Sequence, residues 1–228
     1  MKVLGIDTAI GACSAAVWEQ TVKASYQKIM SRGHVEALVP MVEETLKNSG
    51  LTFSQLDLIA VTIGPGSFTG LRTGLAAAKG LGLALNIPVH GVTTLEAVAF
   101  AAKRARSLEA KLPIVVVLET NREEIFCQQF DGNAIEQGQA TAGLEGVVIE
   151  KLPRGEFCLC GDAAGRVLAA LPQLERKQIT QLTAVERPMA KDVAEIAAGR
   201  FEQPISAAPL YIYPPAAKIP VSGGRSRP

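Results

Sequence analysis

The chain has 228 residues, of which 48% are hydrophobic and 20% are charged, enough for a sizeable core in one large or two small domains. A formal net charge of +1 provides no broad attraction to nucleic acid, so tight autonomous binding of RNA is disfavoured. No uncharged run is long enough to cross a membrane and the start lacks a signal pattern, so we predict a cytoplasmic protein without membrane contact.

The first part of the chain is predicted to form a group of antiparallel strands followed by a helix. Short apolar runs separated by turn residues indicate strands over 2–7, 13–18 and 22–29. The next segment has apolar residues at helical spacing, at Val35, Leu38, Val39, Val42 and Leu46. Gly50 stands where this helix should end, and Pro40 inside it should bend the helix axis.

A glycine-rich turn follows the strand predicted over 58–63. Gly64, Gly66 and Gly70 let the chain turn tightly and approach an anion or another backbone closely. The helix predicted next, over 69–85, has small residues at every fourth position, namely Gly70, Gly74, Ala78 and Gly82. A stripe of this kind favours the close approach of another helix.

A capping box marks the start of a third helix. After a strand predicted over 89–92, Thr93 and Glu96 match the pattern in which two side chains bond the first free N–H groups of a helix. The helix is predicted to end at the basic run 103–106. Cations are favourable at the carboxyl end of a helix, so we interpret this run as a solvated helix end rather than an RNA contact.

The second half of the chain repeats the order of the first in a weaker form. A strand that begins at 113 ends in Glu119-Thr120, which echoes Asp7-Thr8 at the end of the first strand. The elements predicted after it are two strands around the turn at 131–132, a strand over 157–160, and helices near 163–171 and 192–198. We therefore predict a degenerate duplication of one βββαβα unit.

Four stretches of the chain carry a recognisable signature. They are the start MKVLGIDTAIGACSAAV, SRGHVEALVPMVEETL at 31–46, IGPGSFTGLRTGLAAAKGLGLALNIPVHGVTTLE at 63–96, and PLYIYPPAAK at 209–218. Together they resemble the TsaB family, the YeaZ-type proteins of bacterial tRNA threonylcarbamoyladenosine synthesis. This family is a branch of the actin-like ATPase superfamily once labelled M22 glycoproteases.

The resemblance implies an α/β fold of two actin-like, ribonuclease H-like lobes. Each lobe would have a mixed sheet of the five-stranded type flanked by helices, and the second lobe would be degenerate. The implied boundaries are 1–106 for the N-terminal lobe with the partner-binding helices, 107–217 for a smaller C-terminal lobe, and 218–228 for a flexible tail.

The resemblance also implies a partner subunit. It would bind and activate TsaD for transfer of a threonylcarbamoyl group to adenosine 37 of tRNA, with TsaE in the larger complex. It would form a homodimer in isolation and meet tRNA only through the complex.

The helices over 34–47 and 69–85 would form the partner surface. The interface residues expected on them are Val35, Leu38, Val39, Val42, Leu46, Gly70, Leu71, Gly74, Leu75, Ala78 and Gly82. The alternative is that these faces are core. We favour the interface, because the small-residue stripe and the leucines together give the second helix more apolar and close-packing surface than a helix with one buried face needs. Gly74→Leu should then weaken TsaD binding and leave the monomer folded.

A nucleotide or anion site is also a hypothesis. Actin-like ATPases place a carboxylate that holds a metal-bound phosphate where Asp7 stands; the alternative is a turn carboxylate. The candidate residues are Asp7, Thr8, Gly64, Gly66 and Ser67. Where a second phosphate loop would lie, residues 119–121 contain no glycine. We expect no tightly bound cofactor, with ATP or ADP and magnesium at most in the assembled complex.

No catalytic residue and no metal ligand are predicted. The chain has two histidines, His34 and His90, far apart in sequence, and Thr94 and Val98 stand where TsaD has its histidine pair. An M22-type metallopeptidase is therefore the weaker alternative, and an independent ATP-dependent enzyme is the other. We interpret Ser67 as a turn-stabilising hydroxyl rather than a nucleophile. The cysteines are predicted to be reduced core thiols, at Cys13, Cys127, Cys158 and Cys160.

Overall fold

The computed structural model describes residues 1–106, 111–120 and 122–212, which fold into two lobes. The first lobe contains β1 (Val3–Asp7), β2 (Ala12–Glu19), β3 (Thr21–Ile29), α1 (His34–Ser49), β4 (Leu58–Gly64), α2 (Phe68–Leu85), β5 (Val89–Thr93) and α3 (Thr94–Ala105). The second contains β6 (Ile114–Glu119), β7 (Ile125–Phe130), β8 (Thr141–Gly143), α4 (Glu145–Glu150), β9 (Phe157–Cys160), α5 (Ala164–Ala170) and β10 (Ile179–Gln181). The chain then forms α6 (Ala190–Gly199) and β11 (Ile205–Ser206).

The two sheets share one plan. In the first, β1, β2 and β3 are antiparallel neighbours, while β4 and β5 add in parallel on the other side of β1. In the second, β6, β7 and β8 are antiparallel, and β9 and β10 add in parallel beside β6. The predicted duplication is confirmed. The first sheet has six strands rather than five, because β11 pairs antiparallel with β5.

The end of the described chain belongs to the first lobe. Helix α6 packs on β1, β2 and β4, where Val193, Ala194 and Ala197 join a buried cluster with first-lobe residues. Ser14 Oγ of β2 accepts a hydrogen bond of 3.0 Å from the Ala190 backbone N–H. The predicted second lobe, 107–217, is therefore corrected, because 190–212 returns to cover the first sheet. The predicted tail, 218–228, lies outside the described residues.

The basic end of α3 ties segments together. Arg104 Nη1 donates to Asp192 Oδ1 at 3.2 Å and to Glu195 Oε2 at 2.7 Å, both on α6. Arg106 donates to the backbone carbonyls of Leu112 and Gly132 at 2.7 and 2.8 Å. The prediction of a solvated helix end agrees with Arg104, whose side chain is 44% exposed although it also bonds α6. It is wrong for Arg106, which is partly buried and bonds two backbone carbonyls. The capping box is confirmed by the reciprocal bonds between Thr93 and Glu96 at the start of α3.

The lobes share buried apolar contacts. Ala9, Ile10 and Leu71 of the first lobe cluster with Leu118 and Phe130 of the second. The cysteines are all buried and unpaired, as core thiols were predicted to be. Of the helices within the described ranges, none has both the length and the apolar character needed to cross a bilayer.

Candidate functional site

The small-residue stripe of α2 faces the protein's own sheet. A Cβ added to Gly70 would clash with the Thr8 carbonyl oxygen, and one added to Gly74 would clash with Thr8 Oγ1. At the far end of α2, a Cβ on Gly82 would clash with the Val89 side chain. The missing side chains therefore bring α2 close to β1 and β5 rather than to a partner helix. The expectation that Gly74→Leu leaves the monomer folded is wrong, because a leucine there has no space.

Most of the predicted interface residues lie in the core of the first lobe. Val35 and Val39 are 64% and 55% exposed. The others are buried, namely Leu38, Val42, Leu46, Gly70, Leu71, Gly74, Leu75, Ala78 and Gly82. For these residues the core alternative is correct. Each helix buries one face against the sheet, so a partner can meet only the opposite face.

The exposed faces of α1 and α2 enclose a solvent-open groove of about 540 Å³. Its wall on α1 includes Val35 and Val39, and its wall on α2 includes Phe68, Arg72 and Ala76. The complete lining is Val35, Leu38, Val39, Phe68, Thr69, Arg72, Thr73, Ala76 and Ala77. Exposed apolar side chains gathered in one concave surface are typical of binding sites.

The exposed surfaces of the two helices differ in charge. Helix α1 exposes three acidic residues, Glu36, Glu43 and Glu44, and one basic residue, Lys47, whereas α2 exposes Arg72 and Lys79. Of these charged residues, Arg72 lines the groove itself. The groove therefore lies between a mainly acidic helix and a basic helix.

An aromatic cluster stands at one end of the groove. Arg72 Cζ lies 3.7 Å from the centroid of the Phe68 ring, in a cation–π contact. The Tyr211 ring lies on Phe68 with centroids 5.9 Å apart and a 30° angle between the planes. Sequence reasoning missed all three residues. Phe68 and Arg72, four residues apart on the exposed side of α2, gave a usable signal, whereas Tyr211 is brought here by the fold.

Asp7 ends β1 with its carboxyl group completely buried. Its Oδ1 accepts hydrogen bonds from Thr62 Oγ1 at 2.8 Å and from the Ala9 backbone N–H at 3.1 Å. Its Oδ2 has no hydrogen-bond partner among the residues that the structure describes. Burial raises the pKa of the Asp7 carboxyl from 3.8 to about 7, against the smaller lowering effect of its two donors.

The glycine turn beside Asp7 binds the protein's own backbone. The Ser67 N–H donates to the Ala9 carbonyl at 2.8 Å, and Thr8 Oγ1 donates to the Gly70 carbonyl at 2.7 Å. Ser67 Oγ accepts from the Gly70 N–H at 3.3 Å, so its predicted role as a turn-stabilising hydroxyl is confirmed. A Cβ on Gly66 would lie 2.5 Å from the Ala9 carbonyl oxygen.

These contacts bear on the predicted anion site. The Ala9 carbonyl already accepts the Ser67 N–H and the Ser67 hydroxyl accepts the Gly70 N–H, so neither donor is free for a phosphate. Gly64 is buried under the carbonyl of Leu210. Asp7 has no exposed surface from which to hold a hydrated metal. As arranged here, the residues do not fit a magnesium-bound phosphate.

The corresponding position of the second lobe holds an ion pair. Glu119, at the end of β6, binds Arg166 Nη1 through Oε2 at 2.8 Å. The Glu119 N–H donates to Asp162 Oδ1 at 2.8 Å, and burial raises the pKa of the Asp162 carboxyl. Asn121, the last residue of the stretch 119–121 where a second phosphate loop would lie, is outside the described residues.

The two histidines lie on different elements. His34 starts α1, whereas His90 is buried on β5 with its ring centroid 5.5 Å from that of Phe201. Burial, with a smaller effect of Arg200, lowers the pKa of His90. Thr94 and Val98 are buried on α3. Within the parts of the chain described by the structure, no three acidic, histidine or cysteine side chains are grouped as a metal site.

Two lobes with one repeated sheet plan, joined beside a carboxylate at the end of the first strand, define the actin-like ATPase fold. A structure described as an uncharacterized protein with similarity to peptidase YEAZ from Pseudomonas aeruginosa has the same fold. Its TM-score is 0.78 at 24% identity, and the match covers 93% of this chain and 99% of that chain.

Sequence comparisons give the family. A family model described as TsaD, tRNA N6-adenosine threonylcarbamoyltransferase, matches residues 21–155. An Escherichia coli (strain K12) protein described as tRNA threonylcarbamoyladenosine biosynthesis protein TsaB is 29% identical over 89% of this chain and 88% of its own length. A Haemophilus influenzae protein with the same description is 34% identical over 57% of this chain and 53% of its own length. The chain belongs to the TsaD family and is a TsaB-type, or YeaZ-type, member of it.

Proposed function

We propose that this chain is a non-catalytic cytoplasmic subunit of tRNA N6-threonylcarbamoyladenosine synthesis that binds and activates a TsaD-type transferase. The observation that carries the proposal is the apolar groove between α1 and α2, with Val35, Val39 and Phe68 exposed in its walls. The reaction itself is suggested by the descriptions of the Escherichia coli and Haemophilus influenzae relatives.

The chemistry of the chain supports binding rather than catalysis. A carboxylate must reach solvent or substrate to hold a metal or transfer a proton, and the Asp7 carboxyl reaches neither. The Ser67 and Gly70 N–H groups, which could hold an anion, already bond within the chain. The groove, in contrast, offers apolar area and charge to a macromolecule.

The partner is expected to dock as a pseudo-symmetric relative. The TsaD family model includes the region of α1 and α2, so a TsaD-type protein would present the equivalent helix pair. The proposed pairing has a twofold axis that sets α1 of one chain against α2 of the other, because the mainly acidic helix would then lie beside the basic one. In the absence of that partner, a second copy would take the same place and give a homodimer. TsaE would join the larger complex, and tRNA would be held only by the assembly.

Replacing Val39 by glutamate should weaken this docking without unfolding the chain. Val39 is 55% exposed, so the free protein can hydrate the new charge. In the complex the carboxylate would be buried against apolar surface, and we expect binding of the TsaD-type partner to weaken on the order of 30-fold or more. Calorimetric titration gives the affinity, and thermal unfolding shows whether the fold is retained.

Leu174→Glu is the matched control, because Leu174 is an exposed leucine on the second lobe, away from the groove. It should bind like the wild type. The functional assay is threonylcarbamoyladenosine formation with TsaC, TsaD and TsaE, ATP, threonine, bicarbonate and ANN-decoding tRNA. Product formation should require this chain and fall with Val39→Glu. Undiminished product when the chain is omitted would reject the proposal and favour the independent-enzyme alternative.

Nucleotide binding is proposed only for the assembled complex. The Ser67 and Gly70 N–H groups would have to leave their acceptors, the Ala9 carbonyl and the Ser67 hydroxyl, before either could contact a phosphate. Partner docking beside α2 offers a reason for this turn to move. Calorimetry with ATP and magnesium should therefore show no heat for the chain alone and measurable binding for the complex with TsaD. Tight binding by the isolated chain, lost in Asp7→Ala, would instead support an independent ATP-dependent enzyme.

A further inference from the structure

The last described residues cross the end of β4 as a strap, defined as residues 207–212. The Leu210 N–H donates to the Ile63 carbonyl at 2.7 Å. The Leu210 carbonyl oxygen would lie 2.6 Å from a Cβ on Gly64, so the strap passes where only a glycine leaves room. Ala207 is buried in the core beneath α1 and α2, which anchors the start of the strap.

This path brings Tyr211 to the end of the groove. Its ring packs on Phe68, and Arg72 Nε lies 3.5 Å from the Tyr211 hydroxyl. Phe68 and Arg72 both line the α2 wall of the groove, so Tyr211, which is not part of α2, contacts two residues of that wall. Tyr211 is itself 42% exposed, which leaves part of the ring free for a partner.

We infer that Tyr211 is a positioning residue for partner binding, so that a TsaD-type partner binds tightly only when the strap is docked on β4. The inference rests on the proposed function of the groove. Aromatic and arginine side chains dominate the binding energy of many interfaces, and holding them in place before binding lowers the ordering cost. Tyr211 restrains one of each.

The strap follows two elements that attach the C-terminal segment to the first lobe in different ways. Before it, α6 is held by a buried apolar face, whereas β11 pairs with β5 over two residues, Ile205 with Gly91 and Ser206 with His90. Releasing the strap beyond Ala207 would therefore remove Tyr211 from the groove, while the buried Ala207 and the packing of α6 keep the core of the lobe in place. The affinity for the partner would therefore depend on whether the strap is docked on β4.

Titration of the TsaD-type partner with full-length variants tests the inference. Tyr211→Ala should bind roughly tenfold or more weakly, with little change in unfolding temperature, because the side chain is half exposed. Tyr211→Phe keeps the ring on Phe68 and should stay within about threefold of the wild type. Leu174→Ala, a change at an exposed leucine of the second lobe outside the groove lining, is the control and should have no effect.

A double-mutant cycle separates a positioning role from a general effect. If Tyr211 acts by holding Phe68, the loss from Tyr211→Ala should largely disappear in a Phe68→Ala background. Equal affinity of wild type and Tyr211→Ala would overturn the inference while leaving the proposed function intact. Failure of the wild-type chain to bind the partner would overturn both.

Discussion

Replacing Gly70 by alanine is expected to prevent stable folding or to lower the free energy of unfolding by about 3 kcal/mol or more. The added methyl group would clash with the Thr8 carbonyl oxygen, a backbone atom that cannot rotate away. The same region holds the Thr8 hydroxyl on the Gly70 carbonyl at 2.7 Å, so a shift of α2 would also break that bond. Urea unfolding followed by circular dichroism measures the change.

Gly80→Ala on the same helix is the matched control. Gly80 is exposed, and a Cβ there has nothing within 4 Å. Because alanine favours the helix more than glycine does, this variant should be more stable by about 0.5–1 kcal/mol. If Gly70→Ala lowers the free energy of unfolding and Gly80→Ala raises it, the small-residue stripe packs against the protein's own sheet. If Gly70→Ala were as stable as the wild type, α2 would not lie against Thr8.

Replacing Asp7 by asparagine is expected to stabilise the protein above pH 7. The buried carboxyl has a pKa of about 7 in the folded chain against an ordinary value of 3.8. Between these values the folded protein keeps a proton that the unfolded chain has released, so its stability falls as the pH rises and levels off above about 7. At about 1.4 kcal/mol per pH unit, ionisation of this carboxyl lowers the free energy of unfolding by at most about 4 kcal/mol at alkaline pH.

Asparagine keeps the shape and an acceptor for Thr62 and Ala9 but cannot ionise. The free energy of unfolding of the variant should therefore be close to that of the wild type near pH 4. It should exceed the wild-type value by a growing amount as the pH rises from about 4 to 8. Denaturant unfolding across this range measures the difference. Asp57→Asn is the control, because the Asp57 side chain is 53% exposed and remains hydrated in the folded chain. A difference between Asp7→Asn and wild type that does not vary with pH would contradict the buried carboxyl.

The packing of the small-residue stripe also explains why the groove was only partly predicted. Helical spacing showed that α2 has a small-residue stripe, but the stripe looks the same in sequence whether it meets a partner helix or the protein's own sheet. Gly70 and Gly74 lie so close to Thr8 that an added Cβ on either would clash with it, which shows that the stripe meets the protein's own sheet. The exposed groove is instead on the opposite side of the helix, where Phe68 and Arg72 stand, and this is the surface that we propose for the partner.

The sequence by itself determined the duplicated strand order, the capping box at Thr93 and the family, because periodicity, capping and motif residues act over short stretches of chain. Tertiary structure alone decided three other features: the burial of the Asp7 carboxyl, the return of α6 to the first sheet, and the contact of Tyr211 with Phe68. Each depends on segments far apart in sequence that meet on a surface created by folding. A local pattern shows that a residue is apolar or charged, but the desolvation and contacts that decide its role come from neighbours outside the pattern.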